Sequence, residues 1–229
     1  MQTTFFSNFL YLWNKINFFT ILNSTYDTLY ITFISSFLVG FLGLLIGITL
    51  FITDKKSLYP SQTIYKFINA TSNIIKSIPF IILIIIMLPI TKFLVGTILG
   101  KNAAIPPLII GLAPYYGNLV YNILKNNHKG IIELGRSLGA SNYQIIFKLL
   151  IPENAPLLIS SLTTIIITII GFTATAGIIG AGGLGNLAFI EGFQRNNNII
   201  TIIATFIILF FVFVIQLIGD KISNKFNKV

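Results

Sequence analysis

The chain has 229 residues, of which 55% are hydrophobic and only 9% are charged. An average soluble domain carries roughly 25% charged residues, so this chain lacks the polar side chains that a water-exposed surface requires. It contains no cysteine, which excludes disulfides, thiolate catalysis and cysteine-ligated metals. We therefore expect an integral membrane protein with a single domain.

The first 26 residues are aromatic and amphipathic, and the first basic residue is Lys15. A cleavable signal peptide would begin with a positively charged segment, so none is evident. Aromatic rings favour the boundary between membrane and water, and here they include Phe5, Trp13 and Phe19. Residues 1–26 are therefore predicted to form an N-terminal interfacial segment.

Four apolar stretches without charges are each long enough to cross a bilayer, and a shorter one, Ile78 to Leu88, becomes a fifth span if it starts near Ala70 and Lys76 reaches toward the headgroups. A spanning helix needs about 20 mostly apolar residues, and lipid offers the backbone no partner outside its own helix. The stretches are rich in Ile, Leu and Phe and lack the alternation of an outer-membrane barrel. We predict an all-α transmembrane domain of residues 27–222, with spans near 29–52, 70–90, 103–124, 160–180 and 199–219.

The basic residues between these stretches predict the orientation of the chain. If the loop 125–156 is cytoplasmic, 11 of the 15 Lys and Arg residues lie inside and 4 lie outside. Cytoplasmic loops carry such an excess, so the N-terminus is predicted outside and the C-terminus inside. Residues 223–229 then form a cytoplasmic tail. The net charge of +9 thus reflects orientation in a membrane and not a nucleic-acid partner.

Small residues in the first span indicate a close helix contact. Gly43 and Gly47 form a small-xxx-small face that Gly40 extends. Such a face packs helices within a subunit or between subunits, and the sequence leaves both possibilities open. The single histidine, His128, lies beside Lys129 in a polar connection. We expect it to be a solvated or interfacial side chain and not a metal ligand or a catalytic base.

The loop 125–156 is long and polar, and its pattern predicts two short helices at an angle. Gly139 tolerates a left-handed turn between them, and either Ser141 or Asn142 can cap the second helix. Pro152 is expected to end that helix. A compact knob of this kind can fill a groove on another protein. The apolar faces of the two helices are Ile131, Ile132, Leu134 and Leu138, and Ile145, Ile146, Leu149 and Leu150.

This loop resembles the "EAA" loop of permeases in binding-protein-dependent ABC importers. Glu133, Gly139 and Pro152 match that motif in identity and spacing, while Leu149 and Ile151 match it in type.

The motif's second and third positions, both alanine in the family, are here Leu134 and Gly135. Glycine weakens a helix by roughly 1 kcal/mol relative to alanine.

Further segments are similar to the methionine-importer branch of this family. Ser77-Ile78-Pro79-Phe80 opens the second span, and the likeness extends from about residue 70 to residue 222. The other matching segments are Gly171-Phe172-Thr173, the glycine-rich run 180–185, Gln216, and Gly219-Asp220.

The resemblance implies a permease of the type I ABC importer fold, which carries methionine or a similar small amino acid across the membrane. It implies a homodimer, two ATP-binding cassette subunits and an extracytoplasmic substrate-binding lipoprotein. ATP and Mg would bind to the ATPase subunits, so this chain would hold no cofactor and would not itself be an enzyme. The loop residues 130–152 would dock into the ATPase, through Glu133, Gly139, Ala140, Leu149, Ile151 and Pro152.

Side chains on the second and fourth spans are candidates for the substrate path, because small polar groups lie there beside apolar surface. Pro79 and Pro89 interrupt the second span, either as a simple kink or as a flexible wall of the path. The candidates for the path are Ser77, Phe80, Met87, Thr168, Gly171, Thr173 and Thr175.

Other readings of the sequence have less support. Gly180, Gly182 and Gly185 spell a dinucleotide fingerprint, but they follow an apolar span and not a strand of a βαβ unit. Gly100-Lys101 lacks the rest of a phosphate loop. A stand-alone secondary carrier or channel for a small polar solute remains the alternative, although such carriers usually place ionisable groups or broken helices at the midplane. A membrane enzyme would need clustered acids near the interface.

Overall fold

The computed structural model describes residues 17–226, except Lys56 and His128. Most of the predicted N-terminal segment, His128 and the end of the predicted tail therefore lie outside the described residues. The described part of the chain consists of helices and connections, with no strand among them. This confirms the prediction of an all-α fold.

Nine helical stretches follow one another along the described residues. The first five are α1 (Phe18–Thr53), α2 (Gln62–Ser77), α3 (Phe80–Val95), α4 (Lys101–Asn126) and α5 (Lys129–Ser137). The next, α6, covers residues 142–153 and comprises Asn142–Gln144, a π-helical segment Ile145–Leu150, and Ile151–Glu153. The last three are α7 (Ala155–Ala176), α8 (Gly183–Leu187) and α9 (Asn198–Phe226), and the π-helical segments Gly177–Ala181 and Ala188–Gln194 follow α7 and α8.

Four of these helices are long and apolar enough to cross a membrane. They are α1, α4, α7 with its π-helical extension, and α9. The bent pair α2 and α3 adds a fifth span if the two helices cross together. The described end of the predicted interfacial segment, from Phe18 onward, belongs to α1, whose 36 residues extend about 54 Å.

The second predicted span, 70–90, is not one continuous helix. Helix α2 ends at Ser77, Ile78 is extended with φ −80° and ψ 125°, and α3 begins at Phe80. Pro79 explains the break, because a proline disfavours the helical conformation of the preceding residue. Pro89, in contrast, lies inside α3 without ending it.

The chain divides into two compact units. The first consists of the described residues up to Ser35 together with Phe80–Leu108 and Thr168–Val214. The second consists of Ser36–Pro79, Ile109–Ile167 and the described residues from Ile215 onward. The second unit contains the whole of the polar loop with α5 and α6.

In the first unit, the glycine-rich run after α7 reverses the direction of the chain. Gly180, Gly182 and Gly183 have φ values of +94°, +80° and +79°, which other residues rarely adopt. The backbone N–H of Leu184 donates to Thr28 Oγ1 on α1 at 2.8 Å. The run therefore forms a tight turn that contacts α1, and a helix, not a strand, precedes it.

An ion pair lies at the same end of α1. Lys101 Nζ is 2.8 Å from Asp27 Oδ1. The ammonium also lies 4.7 Å and 5.1 Å from the ring centroids of Tyr26 and Tyr30. A cation over aromatic rings is favourable, so this contact fixes the start of α4 against α1.

In the second unit, the glycine face of α1 packs against α4 of the same chain. A Cβ added to Gly43 would lie 2.6 Å from Tyr116 Cδ1, and one added to Gly47 would lie 2.6 Å from the carbonyl oxygen of Gly117. The two helices approach so closely only because these side chains are missing. The choice between packing within the chain and packing between subunits is thereby settled for Gly43 and Gly47 in favour of the first.

Candidate functional site

Helices α5 and α6 pack against each other through a small apolar interior. Ile132, Ile145, Ile146 and Leu150 are all buried. A Cβ added to Gly135 would lie 2.7 Å from Ile145 Cγ1. Gly135 therefore allows close packing of the two helices, which accounts for the glycine at a position where the family motif has alanine. From here on, "coupling loop" denotes the segment 129–153, which contains both helices.

The turn between the two helices is closed by two backbone hydrogen bonds. Gly139 has φ +70°, as the sequence predicted for a left-handed residue. The N–H of Ala140 donates to the carbonyl of Gly135 at 2.9 Å, and the N–H of Gly139 donates to that of Arg136 at 3.0 Å. This pair of bonds is a Schellman motif, which satisfies carbonyls that would otherwise end the helix unpaired.

Ser141 is the residue that caps α6. Its Oγ accepts from the backbone N–H of Gln144 at 3.3 Å, and the Gln144 side chain accepts from the backbone N–H of Ser141 at 2.9 Å. This reciprocal arrangement is a capping box. Of the two caps that the sequence allowed, Ser141 and Asn142, the structure thus contains the first.

The prediction that Pro152 ends the second helix is wrong. Helical backbone continues through Pro152 to Glu153, and the break falls at Asn154, with φ −91° and ψ 4°. The segment before Pro152 is π-helical, and the N–H of Ile151 donates to Ile146. Pro152 is the last residue but one of α6 and stands directly after the change from π-helical to α-helical backbone at Ile151.

The surface of the coupling loop combines two exposed acids, Glu133 and Glu153, with several exposed apolar side chains. Glu133 and Pro152 are exposed, and Ala140, Leu149 and Ile151 are half-buried. The exposed apolar set consists of Leu134, Leu138, Tyr143 and Phe147, with exposed fractions of 56%, 72%, 65% and 45%. The ring centroids of Tyr143 and Phe147 are 4.7 Å apart.

This exposed apolar set was not identified as a site from the sequence. The sequence predicted one apolar face for Ile131, Ile132, Leu134 and Leu138, yet Leu134 and Leu138 are exposed while Ile132 is buried. Tyr143 and Phe147 lie four residues apart on α6, a spacing that places them on the same helix face. That spacing was the available signal.

A polar network lies where α4 approaches the coupling loop. Tyr121 Oη donates to Asp54 Oδ2 at 2.8 Å, and Lys125 Nζ donates to Tyr121 Oη at 2.7 Å. Lys125 Nζ is also 3.1 Å from Asp54 Oδ2. The Tyr65 hydroxyl lies 3.1 Å from that of Tyr121, and it must be the donor because Tyr121 gives its own proton to Asp54. The network joins α4 to α2 and to the end of α1.

The network lowers the pKa of Asp54. Burial alone would raise this pKa, but hydrogen bonds from the Tyr121 hydroxyl, the Lys125 ammonium and a backbone N–H hold it below the ordinary value of 3.8. A carboxylate with a lower pKa in the folded state stabilises the fold above its unfolded pKa, and this stabilisation is lost as the pH falls through the folded pKa.

Acidification should therefore destabilise the wild-type protein more than an Asp54→Asn variant. The variant begins less stable near neutral pH because it lacks the carboxylate, and its thermal midpoint should change less on acidification. The measurement is thermal unfolding in detergent from about pH 6 to about pH 3. Parallel curves for the two proteins would show that Asp54 is not responsible for the acid-sensitive stability.

The residues predicted for the substrate path occupy varied environments. Phe80 stacks on Phe172, with ring centroids 4.2 Å apart and planes 13° apart, so α3 and α7 meet at this pair. Met87 and Thr173 are buried, and Thr173 Oγ1 donates to the carbonyl of Ile170 on its own helix at 2.7 Å.

The remaining path candidates lie on α2 and α7. Gly171 is exposed, and no atom lies within 4 Å of a Cβ built there. Ser77 is also exposed, and its Oγ donates to Asn73 at 2.8 Å. Thr168 and Thr175 are half-buried. The assignment of all seven residues to a path stays a prediction.

Known proteins resemble this chain over most of its length. Residues 40–228 match the family described as "Binding-protein-dependent transport system inner membrane component". The chain is 51% identical over 206 residues to the methionine import system permease protein MetP of Bacillus subtilis, which covers 90% of this chain and 93% of that protein. It is 41% identical over 204 residues to the probable D-methionine transport system permease protein MetI of Pasteurella multocida, with coverages of 89% and 94%.

Solved structures share the fold. The MetNI methionine ABC transporter, in inward-facing conformations, aligns with a TM-score of 0.89 and 35% identity, covering 92% of this chain and 98% of that chain. An amino acid ABC transporter crystallised with histidines aligns with a TM-score of 0.69 at 19% identity and supports the fold alone. With its described spans and its helical loop, this chain belongs to the family of inner-membrane components of binding-protein-dependent transport systems.

Proposed function

We propose that this chain is the permease subunit of an ATP-driven methionine importer in a bacterial inner membrane. The observation that supports this most directly is the coupling loop, an internally packed pair of helices with an exposed apolar set. The similar permeases of Bacillus subtilis and Pasteurella multocida are named for methionine and D-methionine transport. Two copies of the chain would enclose the substrate path between them.

The coupling loop provides the contact with a separate ATPase subunit. Leu138 and Tyr143 are 72% and 65% exposed. Moving either side chain from water into an apolar contact is favourable. Burial of a large apolar side chain contributes about 1.5–3 kcal/mol, which offsets part of the cost of association. Glu133 is exposed on the same loop, where a basic residue of the ATPase can pair with it. ATP and Mg bind to that partner subunit.

Transport follows from movement of the docked loops. When ATP brings two ATPase subunits together, the loops move with them and open the path toward the outside. There an extracytoplasmic binding protein delivers the substrate, and hydrolysis returns the path to the inward-facing state. Phe80 and Gly171, with the other path candidates, would line the route with apolar surface and small polar groups that contact methionine in passing.

The docking role is tested by Leu138→Asp. A carboxylate placed within an apolar contact should lower recovery of the ATPase with the tagged permease by about tenfold or more, because burial of an unpaired charge is costly. The matched control is Leu138→Met, which retains an apolar side chain of similar volume and should retain the ATPase. The measurement is the ratio of the two subunits after affinity purification from membranes.

Two results would contradict the proposal. One is full recovery of the ATPase with Leu138→Asp at normal permease levels. The other is uphill methionine uptake by proteoliposomes that contain this chain without an ATPase, which would favour a stand-alone secondary carrier.

A further inference from the structure

A hydrogen bond between two asparagine side chains joins the two ends of the coupling loop. Asn127 follows α4 directly, and Asn154 separates α6 from α7. Asn127 Nδ2 donates to Asn154 Oδ1 at 2.8 Å, and Asn154 Nδ2 donates to the carbonyl of Leu150 at 2.9 Å. The two asparagines are 27 positions apart in the sequence, and their hydrogen bond joins the residue just before the coupling loop to the residue just after it. The pair Asn127–Asn154 is called the root clasp below.

Asn154 is held from several directions. It is only 2% exposed, and an amide buried to this extent is costly unless its donor and acceptor both have partners. Its backbone N–H donates to Leu150 at 3.1 Å, and its carbonyl accepts from the N–H of Leu158 at 3.0 Å in α7. Asn154 therefore joins the end of the coupling loop to the start of α7 through hydrogen bonds to both.

An open cavity of about 560 Å³ lies beside the root clasp. Its wall includes both asparagines, Ile131 of α5, Glu153 of α6 and Ser160 of α7. On this side the cavity lies between the coupling loop and the start of α7. Hydrogen bonds are directional, so the root clasp can set an angle that loose packing at this side cannot.

We propose that the root clasp is the positioning element that makes α4 and α7 follow the coupling loop when an ATPase subunit moves it. This inference rests on the proposed function, since it requires the loop to be docked. The clasp stays closed through the transport cycle. Without it, the loop can turn into the adjacent cavity, and ATP hydrolysis continues with less displacement of the helices.

The first test removes either amide in the assembled complex. Asn127→Ala and Asn154→Ala should each lower the methionine transported per ATP hydrolysed by about fivefold or more, the effect expected for loss of one partly buried hydrogen bond. The measurement is uptake of labelled methionine and release of phosphate by the same proteoliposomes, which hold permease, ATPase and binding protein. The matched control is Asn118→Ala, because the Asn118 amide donates to Pro114 on its own helix at 3.1 Å.

A merely structural role gives a different result. In that case transport and hydrolysis fall together with the amount of intact complex, and their ratio does not change. An unchanged ratio in both alanine variants overturns the inference. Because the wild-type complex is assembled and measured in parallel, failure of the wild-type subunits to associate would refute the docking proposal instead.

The second test replaces the clasp with a covalent bond. The chain has no cysteine, so Asn127→Cys combined with Asn154→Cys introduces the only two thiols of the permease. A direct disulfide needs Cβ atoms roughly 3.5–4.5 Å apart, closer than two hydrogen-bonded amides hold them, so a short bis-methanethiosulfonate cross-linker is used. It should join the two thiols within the chain and restore the transport-to-hydrolysis ratio toward the wild-type value, relative to either single cysteine variant. If no cross-link forms, the two positions are not neighbours. If the cross-link blocks transport and a reductant restores it, the clasp must open in each cycle. Either outcome overturns the inference.

Discussion

Replacement of Gly47 by alanine is expected to remove most of the folded protein from the membrane. The added Cβ would lie 2.5 Å from Val120 Cβ and 2.6 Å from the carbonyl oxygen of Gly117. Neither atom can move aside by rotation of a side chain, because Val120 Cβ is attached directly to the backbone and the Gly117 oxygen is part of it. Helices α1 and α4 would have to separate along their contact. Such overpacking costs about 1–3 kcal/mol and sometimes more, which is a large share of the stability of a folded domain.

Gly40→Ala is the matched control, since it adds the same methyl group to the same helix. Its Cβ would lie 3.2 Å from Leu162 Cδ1, the end of a flexible side chain that can move aside. We expect Gly40→Ala to keep a wild-type thermal midpoint, while Gly47→Ala elutes as aggregate in detergent. The measurement is size-exclusion chromatography after heating. Equal midpoints for the two variants would mean that α1 and α4 are not packed as described.

Replacement of Gly139 by valine should abolish methionine uptake by the complex while the permease still inserts into the membrane. Gly139 has φ +70°, and a β-branched side chain there is a strong outlier. The left-handed conformation costs about 1–2 kcal/mol for an ordinary residue. The two hydrogen bonds of the Schellman motif depend on that conformation, so α5 and α6 would lose their mutual angle. An ATPase groove shaped for the original pair would then bind neither helix well.

The control for this prediction is Gly139→Asn. Asparagine enters the left-handed region more readily than other non-glycine residues, and no atom lies within 4 Å of a Cβ built at this position. The asparagine variant should keep most of the recovery of the ATPase in affinity purification, and the valine variant should lose it at equal permease levels. If both variants retain the ATPase, the conformation of Gly139 has no part in docking.

Composition and local turn chemistry could be interpreted from the sequence with little ambiguity. Low charge and long apolar stretches leave helices as the default in lipid, and the described chain is helical. Gly139 was identified because its position between two apolar patterns requires a residue that accepts positive φ. In these cases the deciding interactions lie within a few residues of each other.

Features that depend on distant residues were harder to predict. The apolar residues of α5 and of the turn that follows it include Ile132, which is buried, and Leu138, which is exposed, although the sequence alone assigned both to one face. Which of the two side chains is covered depends on how α6 packs against α5. Gly135 sets the distance between these helices through its contact with Ile145. The role of Gly47 likewise became clear only once its partner on α4 was known.

The effect of a proline on a helix also depends on features that the sequence does not reveal. Pro79 does interrupt the helical pattern, yet Pro152 lies within helical backbone. The difference is one of position, since Pro152 follows a π-helical segment and only Glu153 remains after it in α6.

The coupling loop is complete in the isolated chain. The Schellman motif, the capping box and the buried isoleucines satisfy its backbone and its interior without any second protein. The coupling loop is therefore preorganised for binding to the ATPase subunit. Little conformational entropy is lost when the two subunits associate. Such a loop can associate and dissociate quickly, and a newly inserted permease can recruit its ATPase without a folding step.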